Sequence, residues 1–494
     1  MRSLNLINLD VSTSAVPVMP VGLAARIERG LEENDLRPRV AILTLGCKVN
    51  YSETKALGEN FQQAGYVLVD PEGSDRPDVF IVNTCTVTHI AGRKSRQMLR
   101  RAKRQNRQAL VVATGCHVYT SPLEVAAISE VDLVVGKAEE ERVVELVSER
   151  LGYELPHRPE AVPLLLAGGL QAVTANSTEV AARYRTRAMV KIQDGCNAGC
   201  AFCIVPTARG GPRSSGIAEV VEGVRRKIEA GYQEVVLTGV HLGKYRAPVV
   251  SGQVEERPAR LKALLEAVLT ETPIPRLRIT SLEPQDYDPT LLELWQRDRR
   301  LARHFHLALQ AGCDATLSRM RRGYNTEKYA RIVEQIRGEL PDATITTDVI
   351  VGFPGETEAE FAQTLAFAER MAFAKIHVFP FSPREGTLAA TMPDQVTAEV
   401  KKDRSAGLRL LSDELSRKWY RRFMDEVRPV LWEHPESDAS FWNGLTDNYL
   451  RVYLRHENDS EAMGINLYNH ITPVRLLELM GQGEVEGLHG EIIF

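Results

Sequence analysis

Strand-like and helix-like segments alternate along most of this 494-residue chain, and this alternation strongly limits the folds it can adopt. Short apolar runs rich in Val and Ile are separated by polar stretches with helical spacing. Such alternation predicts parallel sheets, because neighbouring parallel strands need a long and usually helical crossover between them. Functional side chains of parallel sheets gather at the carboxyl ends of the strands. We therefore predict an α/β protein whose chemistry lies at strand ends.

Three apolar runs early in the chain are each followed by a cysteine. Cys47, Cys85 and Cys116, here called the first trio, occur in the phrases LGC, NTC and TGC. Because the carboxyl ends of parallel strands meet at one edge, we expect the three thiols to converge. Three thiolates without an equivalent fourth predict an iron–sulfur cluster with one open iron. Zinc completed by His117 is the alternative, although adjacent residues of an extended chain point apart. The three runs are residues 40–45, 79–82 and 110–113.

A second group of cysteines lies within the phrase DGCNAGCAFC. Cys196, Cys200 and Cys203, the second trio, are one ligand short of a closed zinc site or an ordinary four-iron site. No histidine lies between residues 191 and 240. The C-x3-C-x2-C spacing resembles the signature of radical S-adenosylmethionine enzymes, whose cluster keeps one iron open to chelate that cosubstrate. A zinc knuckle completed by a distant residue is the alternative.

The middle of the chain repeats a strand–helix unit six times. This repetition predicts a partial (β/α)6 barrel, an open version of the (β/α)8 barrel, with reacting groups at the carboxyl ends of its strands. The second trio follows the first of these strands and is therefore expected at that mouth. The predicted strands are residues 189–193, 234–238, 276–280, 304–309, 344–351 and 375–381.

Residues at the other strand ends are candidates for holding S-adenosylmethionine. Gly239 would present backbone to the methionyl amino group, and Glu283 would accept a hydrogen bond from a ribose hydroxyl or an amino group. Gln310 ends the fourth strand, and Gly352 would bring backbone to the adenine. The alternatives are a solvated glutamate at position 283 and a simple turn at Gly352.

Four phrases, TLGCKVNYSET, DVFIVNTCTVT, ATGC and DGCNAGCAFCIVPTARGGPRS, resemble the methylthiotransferase family of radical S-adenosylmethionine enzymes. The wording GCKVN resembles the MtaB-like branch, which acts on threonylcarbamoyladenosine in tRNA. The isopentenyladenosine branch tends to read GCQMN, and the ribosomal-protein branch GCPKN. The resemblance implies that the first trio holds an auxiliary [4Fe–4S] cluster and the second trio the radical [4Fe–4S] cluster. It assigns no role to His117 or Cys313.

The resemblance also implies a reaction and its partners. The chain would be a transferase that converts N6-threonylcarbamoyladenosine at position 37 of tRNA to its 2-methylthio derivative. One S-adenosylmethionine would methylate sulfur associated with the auxiliary cluster, and another would be cleaved to the radical that takes hydrogen from carbon 2. The partners would be the tRNA anticodon loop and a ferredoxin or flavodoxin reductant. Alternatives are the same chemistry on isopentenyladenosine tRNA or a ribosomal protein, and a non-catalytic zinc and RNA-binding module.

Any RNA binding must come from local patches, since the net charge of -4 gives no global nucleic-acid signal. Residues 93–107 carry eight positive charges and no acid, which predicts a helix that contacts phosphates; a solvated surface helix is the alternative. A smaller basic patch is predicted at Arg319, Arg321 and Arg322. The predicted RNA-binding residues of the main run are Arg93, Lys94, Arg96, Arg100, Arg101 and Arg104.

The end of the chain turns to short β-like runs, which predict a small β-barrel. The phrase GLTDNYLRVY resembles the TRAM module, a small RNA-binding barrel. From residue 424 onward the chain contains 13 acidic residues and 4 basic ones. RNA contact there would therefore be local, through Asn448, Tyr449 and Arg451. Alternatively, the barrel would brace the other domains.

The predicted division of the chain is 1–38 as an extension, 39–153 as an α/β domain, 154–184 as a linker, 185–423 as the partial barrel and 424–494 as the TRAM-like barrel.

The sequence favours a cytoplasmic monomer without a membrane partner. Seven cysteines are an odd number that does not suggest a disulfide framework, and clustered reduced thiols suit a cytosol. The apolar segment 15–25 contains two prolines and lacks a preceding basic run, which argues against a signal peptide. No apolar run approaches the roughly 18 residues that a membrane span requires.

Overall fold

A computed structural model describes most of the chain outside its amino terminus and a few internal segments. The segment 15–25, nearly all of the predicted extension and nearly all of the predicted linker lie outside the described residues. The described ranges are 37–73, 75–155, 186–248, 260–433, 441–455, 466–481 and 487–493.

The first unit is a parallel five-stranded sheet with the strand order β2-β1-β3-β4-β5. Successive residues of its central strand alternate between two buried apolar clusters, with Ile81 in one and Phe80 and Val82 in the other, so both faces of the sheet are covered. The strands are β1 (Arg39–Thr44), β2 (Val67–Leu68), β3 (Val79–Thr84), β4 (Leu110–Gly115) and β5 (Leu133–Val134). The helices are α1 (Lys48–Gln63), α2 (His89–Gln105), α3 (Cys116–Thr120), α4 (Pro122–Ala126) and α5 (Val143–Leu151).

The second unit has six parallel strands that follow one another in the order expected of an incomplete (β/α)8 barrel. Two hydrogen-bonded sheets, β7-β6-β8-β9 and β10-β11-β12, are joined by isolated parallel bridges between Leu277 and Leu301 and between Leu282 and Leu307. A large apolar core fills the space between the strands and the surrounding helices. The strands are β6 (Ala188–Asp194), β7 (Arg213–Ser214), β8 (Glu234–Gly239), β9 (Arg276–Ile279), β10 (His304–His306), β11 (Thr344–Val351) and β12 (Lys375–Pro380).

Helices alternate with these strands, as the sequence predicts. The helices of the second unit are α6 (Val205–Arg209), α7 (Ile217–Glu229), α8 (Leu261–Glu271), α9 (Leu292–Arg297), α10 (Asp314–Arg319), α11 (Thr326–Glu339), α12 (Glu358–Met371) and α13 (Ala398–Arg421). Short 3-10 turns are Lys137–Arg142, Leu242–Lys244, Pro284–Asp286, Pro289–Leu291 and Leu388–Ala390.

The third unit is a closed five-stranded barrel with the order β13-β14-β15-β17-β16. Its core includes Trp419 and Phe423, which lie at and just beyond the end of α13 and so tie this barrel to the second unit. The strands are β13 (Val427–Trp432), β14 (Phe441–Thr446), β15 (Arg451–Arg455), β16 (Ile471–Met480) and β17 (Gly487–Ile492). The predicted fold class, a parallel α/β unit followed by a partial barrel and a small β-barrel, is therefore confirmed. Within the described ranges, no helix combines the length and the apolar character that crossing a membrane requires.

Candidate active site

The first trio lies at the carboxyl edge of the first sheet. Cys47 precedes α1, Cys85 follows β3, and Cys116 begins α3 directly after β4. The Sγ atoms of Cys47 and Cys116 each lie 3.8 Å from Oδ1 of one side chain, Asn50. A Cβ placed on Gly46, whose φ is +107°, would lie 2.8 Å from Cys85 Sγ, so only glycine allows this loop to pass so close to the thiol. The structure thus brings the three thiols to one place.

The predicted zinc alternative at this edge requires His117 to join the thiols. Instead, His117 Nε2 lies 3.3 Å from a carboxylate oxygen of Glu124 on α4. Its Cε1 atom lies 3.9 Å from the Cβ position of Gly92 on α2. Nδ1 is buried and has no hydrogen-bond partner among the described residues. The imidazole is therefore engaged with the helices beside the trio.

The second trio lies on the loop that follows β6. Gly195 has a φ of +69°, and a Cβ there would lie 2.0 Å from the Gly211 carbonyl oxygen, so the loop can close only with glycine at this position. The backbone N–H of Cys196 donates to the Gly210 carbonyl at 3.0 Å, which holds the beginning of the loop against its end. Cys203 N–H donates to the carbonyl of Cys200 at 3.1 Å, which forms a turn between these two cysteines.

Two polar side chains contact the sulfurs of the second trio. Nη1 of Arg322 donates to Cys200 Sγ at 3.1 Å, while Nη2 of the same guanidinium pairs with Glu283. The other is the imidazole of His241, whose Nδ1 lies 3.4 Å from Cys196 Sγ. Position 241 is one residue past the stretch that contains no histidine, so the structure brings to the trio an imidazole that this stretch does not include. His241 could have been identified from the sequence, because it lies two residues beyond the end of β8, at a strand end where functional side chains are expected.

The chemistry of both donor sets fits iron–sulfur ligation. Burial raises the pKa of the Cys116 and Cys203 thiols to about 12, and raises the pKa of Cys85 and Cys196 as well. Such thiols would stay protonated alone, whereas a bound metal ion takes them as thiolates. The second trio offers three sulfurs from one loop, and the first trio offers three from the ends of neighbouring strands. Each set suits a cluster that keeps one iron free of protein ligands.

A buried charged network joins the two cysteine loops. Arg209, which ends the helix after the second trio, contacts Glu53 through both guanidinium nitrogens at 2.6 and 3.0 Å. It also donates to Asp194 at 3.0 Å and to Asn50 Oδ1 at 2.8 Å, the same oxygen that faces two thiols of the first trio. Lys191 Nζ completes the network at 2.8 Å from Glu53. One arginine therefore links the second-trio loop to the first trio.

This network was not predicted from the sequence, although all of its residues except Lys191 lie inside the quoted phrases. Burial alone would raise the pKa of Glu53, but Lys191 and Arg209 lower it to about 2, so the carboxylate stays charged. The sequence does contain one signal of such a network, because charged residues occur in elements that are otherwise predicted to be buried. Buried charges are normally paired, so these residues could have been expected to form ion pairs.

The four candidate cosubstrate residues all lie at or near strand ends. Gly239 ends β8, and its Cβ position lies 3.0 Å from the Cβ of Gln193. Gln310 has a φ of +69°. Gly352 follows β11, but its N–H already donates to Glu356 Oε2 at 2.6 Å, so that donor is used within the chain. Glu283 pairs with an arginine rather than lying solvated.

The predicted smaller basic patch does not form. The side chain of Arg322 is only 3% exposed, because it reaches inward to Cys200. Arg319 pairs with Glu360 at 2.5 Å and donates to the Pro354 carbonyl at 3.2 Å. Only Arg321 of the three is exposed.

The basic run forms helix α2, and its charges divide into two groups. Three are held by acids from other elements: Arg96 by Glu124 at 2.8 Å, and Arg101 and Lys103 by acids in the loops before β3 and β5. Exposed Arg93, Arg100 and Arg104 share one face of the helix, opposite its buried face. Lys94 is also exposed. The absence of acids within the run is therefore offset in part by acids elsewhere, and the open basic surface is narrower than predicted.

Two of the three side chains singled out in the terminal barrel contact the second unit. The Tyr449 ring stacks on His304 at 4.1 Å between ring centroids, and the guanidinium of Arg278 lies 4.9 Å from the tyrosine ring centroid. Asn448 is fully buried and donates to the Asp342 carbonyl at 3.2 Å. Arg451 pairs with acceptors of its own barrel. Tyr449 and Asn448 thus brace the barrel against the base of the second unit, which agrees with the bracing alternative to RNA contact.

Comparisons with known proteins agree with this arrangement. The model of an uncharacterized protein family, UPF0004, matches residues 39–136, and the radical SAM superfamily model matches residues 190–368. The chain is similar to the threonylcarbamoyladenosine tRNA methylthiotransferase MtaB of Bacillus subtilis, at 39% identity over 425 residues covering 85% of this chain and 91% of that protein. It is also similar to the tRNA-2-methylthio-N(6)-dimethylallyladenosine synthase of Methylacidiphilum infernorum, at 31% identity over 453 residues covering 90% and 93%.

Among solved structures, the chain resembles the radical S-adenosylmethionine methyltransferase TsrM of Kitasatospora setae, with a TM-score of 0.51 at 15% identity over 72% of this chain and 77% of that one. At that identity the likeness establishes the fold alone. The two relatives match 85% and 90% of this chain, and the two matched family models span the positions of both cysteine trios. The chain therefore belongs to the radical S-adenosylmethionine methylthiotransferase family.

Proposed function

We propose that this protein converts N6-threonylcarbamoyladenosine at position 37 of tRNA to its 2-methylthio derivative. The observation that carries the proposal is the link between the two cysteine trios: Arg209 extends from the second-trio loop to Asn50, which faces two thiols of the first trio. Two cysteine sites this close can act on one substrate atom. The substrate follows the Bacillus subtilis relative, whose name specifies that nucleoside.

As a member of the radical S-adenosylmethionine superfamily, the enzyme uses S-adenosylmethionine and a [4Fe–4S] cluster. We assign this cluster to the second trio, and a second [4Fe–4S] cluster to the first trio. When bound, the two groups would supply reductive cleavage of the cosubstrate and delivery of methylated sulfur to carbon 2 of the adenine. Gly239, Glu283, Gln310 and Gly352 are the proposed cosubstrate contacts.

The chain itself positions these groups and adjusts their electrostatics. Arg322 donates to Cys200 Sγ, and hydrogen bonds to the sulfurs are one means of tuning the reduction potential of a cluster. Glu283 holds that guanidinium in place, which gives the carboxylate a function even before cosubstrate binds. Asp286 lies 2.9 Å from His241 Nε2 and so orients the imidazole that faces Cys196.

The substrate would be the anticodon loop of tRNA, with Arg93, Arg100 and Arg104 of α2 contacting phosphates. The target base must leave its stack, which costs about a few kcal/mol and is least for a single-stranded base. A ferredoxin or flavodoxin would supply the electrons. We propose that the enzyme is a monomer and that it works in the cytoplasm, where tRNA is modified.

The test uses protein reconstituted anaerobically with iron and sulfide, and synthetic anticodon stem-loops that carry either threonylcarbamoyladenosine or isopentenyladenosine. Mass spectrometry of digested nucleosides should detect the 2-methylthio product from the first RNA and little from the second. Product from only the second RNA, or labelling of a ribosomal protein in place of RNA, would assign a different substrate. Stoichiometric zinc without iron after anaerobic purification from cells would favour the non-catalytic alternative.

A further inference from the structure

Three side chains on neighbouring strands of the second unit form a polar cluster that includes no cysteine. They are His306 on β10, Asp348 on β11 and His377 on β12, and one candidate metal-ligand atom from each lies within 4.8 Å of the other two. Asp348 and His377 are directly opposite each other in the β11–β12 register, and the two imidazole rings have centroids 5.8 Å apart. We call these three residues the lumen cluster.

The lumen cluster faces the hollow of the partial barrel. On β11, Val349 belongs to the apolar core against the helices, so Asp348, the residue before it, points the other way. The two histidines likewise follow core residues, Phe305 on β10 and Ile376 on β12. The cluster members on β10 and β11 are half-buried and the histidine on β12 is exposed, so a small ion can enter from the hollow.

The contact between His306 and Asp348 has the length expected of two ligands of one ion. Nε2 of His306 lies 3.2 Å from Asp348 Oδ2. Two nitrogen or oxygen atoms that each bind a transition-metal ion at about 2.1 Å lie roughly 3.0–3.4 Å apart, from right-angled to tetrahedral geometry. An ion bound here would replace the direct contact between the two side chains, and their ligand atoms could keep their present separation.

The other ring nitrogen of His306 is held by Thr346. Oγ1 of Thr346 lies 3.0 Å from His306 Nδ1 and 2.8 Å from Nε2 of the buried His304. A histidine that binds a metal through one ring nitrogen almost always forms a hydrogen bond through the other, which fixes the orientation of the ring. The bond to Thr346 therefore leaves Nε2 of His306 as the ligand atom and holds it toward Asp348.

The carboxylate of the lumen cluster is charged. Burial tends to raise the pKa of Asp348, but His306, His377 and Lys48 lower it below its ordinary value. A deprotonated carboxylate is the form that binds a metal ion. The competing arrangement needs no ion, because the charges that lower this pKa would balance the carboxylate by themselves.

We propose that the lumen cluster binds one divalent transition-metal ion, separate from the iron–sulfur clusters, through Nε2 of His306, the carboxylate of Asp348 and the imidazole of His377. Two imidazoles and one carboxylate suit Zn²⁺ or Fe²⁺. Three protein ligands leave at least one position of the ion open toward the hollow, for water or for an oxygen atom of a bound substrate. The inference does not depend on the proposed tRNA reaction, because the ion would bind without RNA.

The test measures zinc binding by protein whose two cysteine trios are loaded with iron–sulfur clusters. Parent and variants are dialysed anaerobically against Zn²⁺, and elemental analysis gives the zinc and iron held per chain. The parent should bind about one zinc without losing iron. His377→Ala and Asp348→Asn should each lose most of this zinc and keep their iron. His470→Ala removes an exposed imidazole on the terminal barrel, so it is the matched control and should bind zinc like the parent.

Thr346→Val provides a second readout, because it removes only the hydrogen bond behind a ligating histidine. Its zinc affinity, measured against a competing chelator, should fall by roughly 10- to 100-fold. Unchanged affinity would contradict ligation by His306.

Two further results would overturn the proposal. A parent that takes up no zinc beside its iron would show that the imidazoles and Lys48 balance Asp348 without an ion. Zinc that His377→Ala and Asp348→Asn both retain, and that is lost only when cysteines of the trios are changed to Ser, would belong to unfilled cysteine sites.

Discussion

At the scale of single residues, Arg209 connects the two halves of the proposed site. Its guanidinium is buried and makes four hydrogen bonds, two to Glu53 and one each to Asp194 and Asn50. A planar, permanently charged group can satisfy acceptors on several elements at once, which a lysine cannot do in the same geometry. This side chain therefore connects the second-trio loop directly to Asn50 and Glu53 of the first unit.

Replacing Arg209 by Met should destabilise the protein by about 3–5 kcal/mol, because the two buried carboxylates of Glu53 and Asp194 would then share a single buried cation, Lys191. The measurement is anaerobic denaturant unfolding of the cluster-containing protein. Arg213→Met is the matched control, since Arg213 also pairs with Asp194 but its side chain is 50% exposed. That control should lose about 1 kcal/mol or less. Equal losses in the two variants would contradict a special role for Arg209.

Glu234 provides a pH-dependent prediction at the base of the barrel, away from the cysteines. Burial alone would raise its pKa, but Arg278, Arg276 and Arg187 lower it from the ordinary 4.5 to about 2. Because the folded pKa is the lower one, this stabilisation is complete above about pH 4.5 and is lost as the pH falls toward 2.

Glu234→Gln should therefore be less stable than the parent at pH 7, and the difference between the two should shrink as the pH is lowered from 4.5. Thermal unfolding of both proteins across this range provides the measurement. Comparing parent and variant at each pH cancels acid effects that the two share. A gap that stays constant between pH 7 and pH 3 would show that the carboxylate is not held charged by these arginines.

At the scale of elements, helix α2 presents one basic face whose arginines have no ion-pair partner among the described residues. Arg93, Arg100 and Arg104 lie on that face, whereas Arg96 and Arg101 are paired with acids. Only the unpaired charges can neutralise phosphates without first losing an ion pair. The helix thus offers RNA a narrow stripe rather than a broad patch.

Charge reversal of Arg100 and Arg104 to Glu should weaken tRNA binding and reduce the slope of log affinity against log salt by roughly 0.9 or less for each lost phosphate contact. Filter binding over a salt series measures this. Cleavage of S-adenosylmethionine without tRNA should not change, because α2 lies outside the barrel. Lys402→Glu with Arg409→Glu, on exposed positions of α13, makes the same change in net charge and should leave binding nearly unaltered. Equal affinity of the α2 variant and the parent at low salt would reduce this face to a solvated surface.

The local pattern of apolar and polar residues predicted most helices and strands. It failed for elements whose form depends on contacts with residues distant in the sequence. Strand β14 was not predicted, because Asn443 and Gly444 resemble a turn; a Cβ on Gly444 would lie 2.5 Å from Val430 Cγ1, so close strand packing requires the glycine. The predicted fourth barrel strand was too long, since β10 ends at His306 and only single bonds continue the pairing. The cysteines could be found because their spacing is local, whereas the pairing of Arg209 with Glu53 spans 156 residues.

At the scale of the whole molecule, the two outer units enclose the partial barrel from different sides. The terminal barrel packs at the amino-terminal ends of the strands, where Arg276 donates to the carbonyls of Leu445 and Pro429 at 3.0 and 2.9 Å. The first unit packs on β6 through α1, where Lys191 and Arg209 meet Glu53. The carboxyl edge of the first sheet therefore faces the mouth of the partial barrel. The terminal barrel lies at the other end of the strands and braces them there.

The proposed function assigns separate tasks to two independent clusters, one held by each cysteine trio. Protein reconstituted with iron and sulfide should hold about eight irons, and the triple variant Cys196→Ala, Cys200→Ala and Cys203→Ala should keep about half of them. Iron analysis together with protein quantification measures the ratio. Complete loss of iron in that variant would mean that the two sites do not assemble independently.

The most direct measurement uses the complementary variant, in which Cys47, Cys85 and Cys116 are all changed to Ala. With threonylcarbamoyladenosine stem-loop, S-adenosylmethionine and reductant, chromatography and mass spectrometry would quantify 5′-deoxyadenosine and methylthiolated nucleoside in the same reaction. We predict that 5′-deoxyadenosine forms at a rate close to that of the parent while the methylthiolated nucleoside is absent. Full product from this variant would contradict the central claim that the first trio delivers the sulfur.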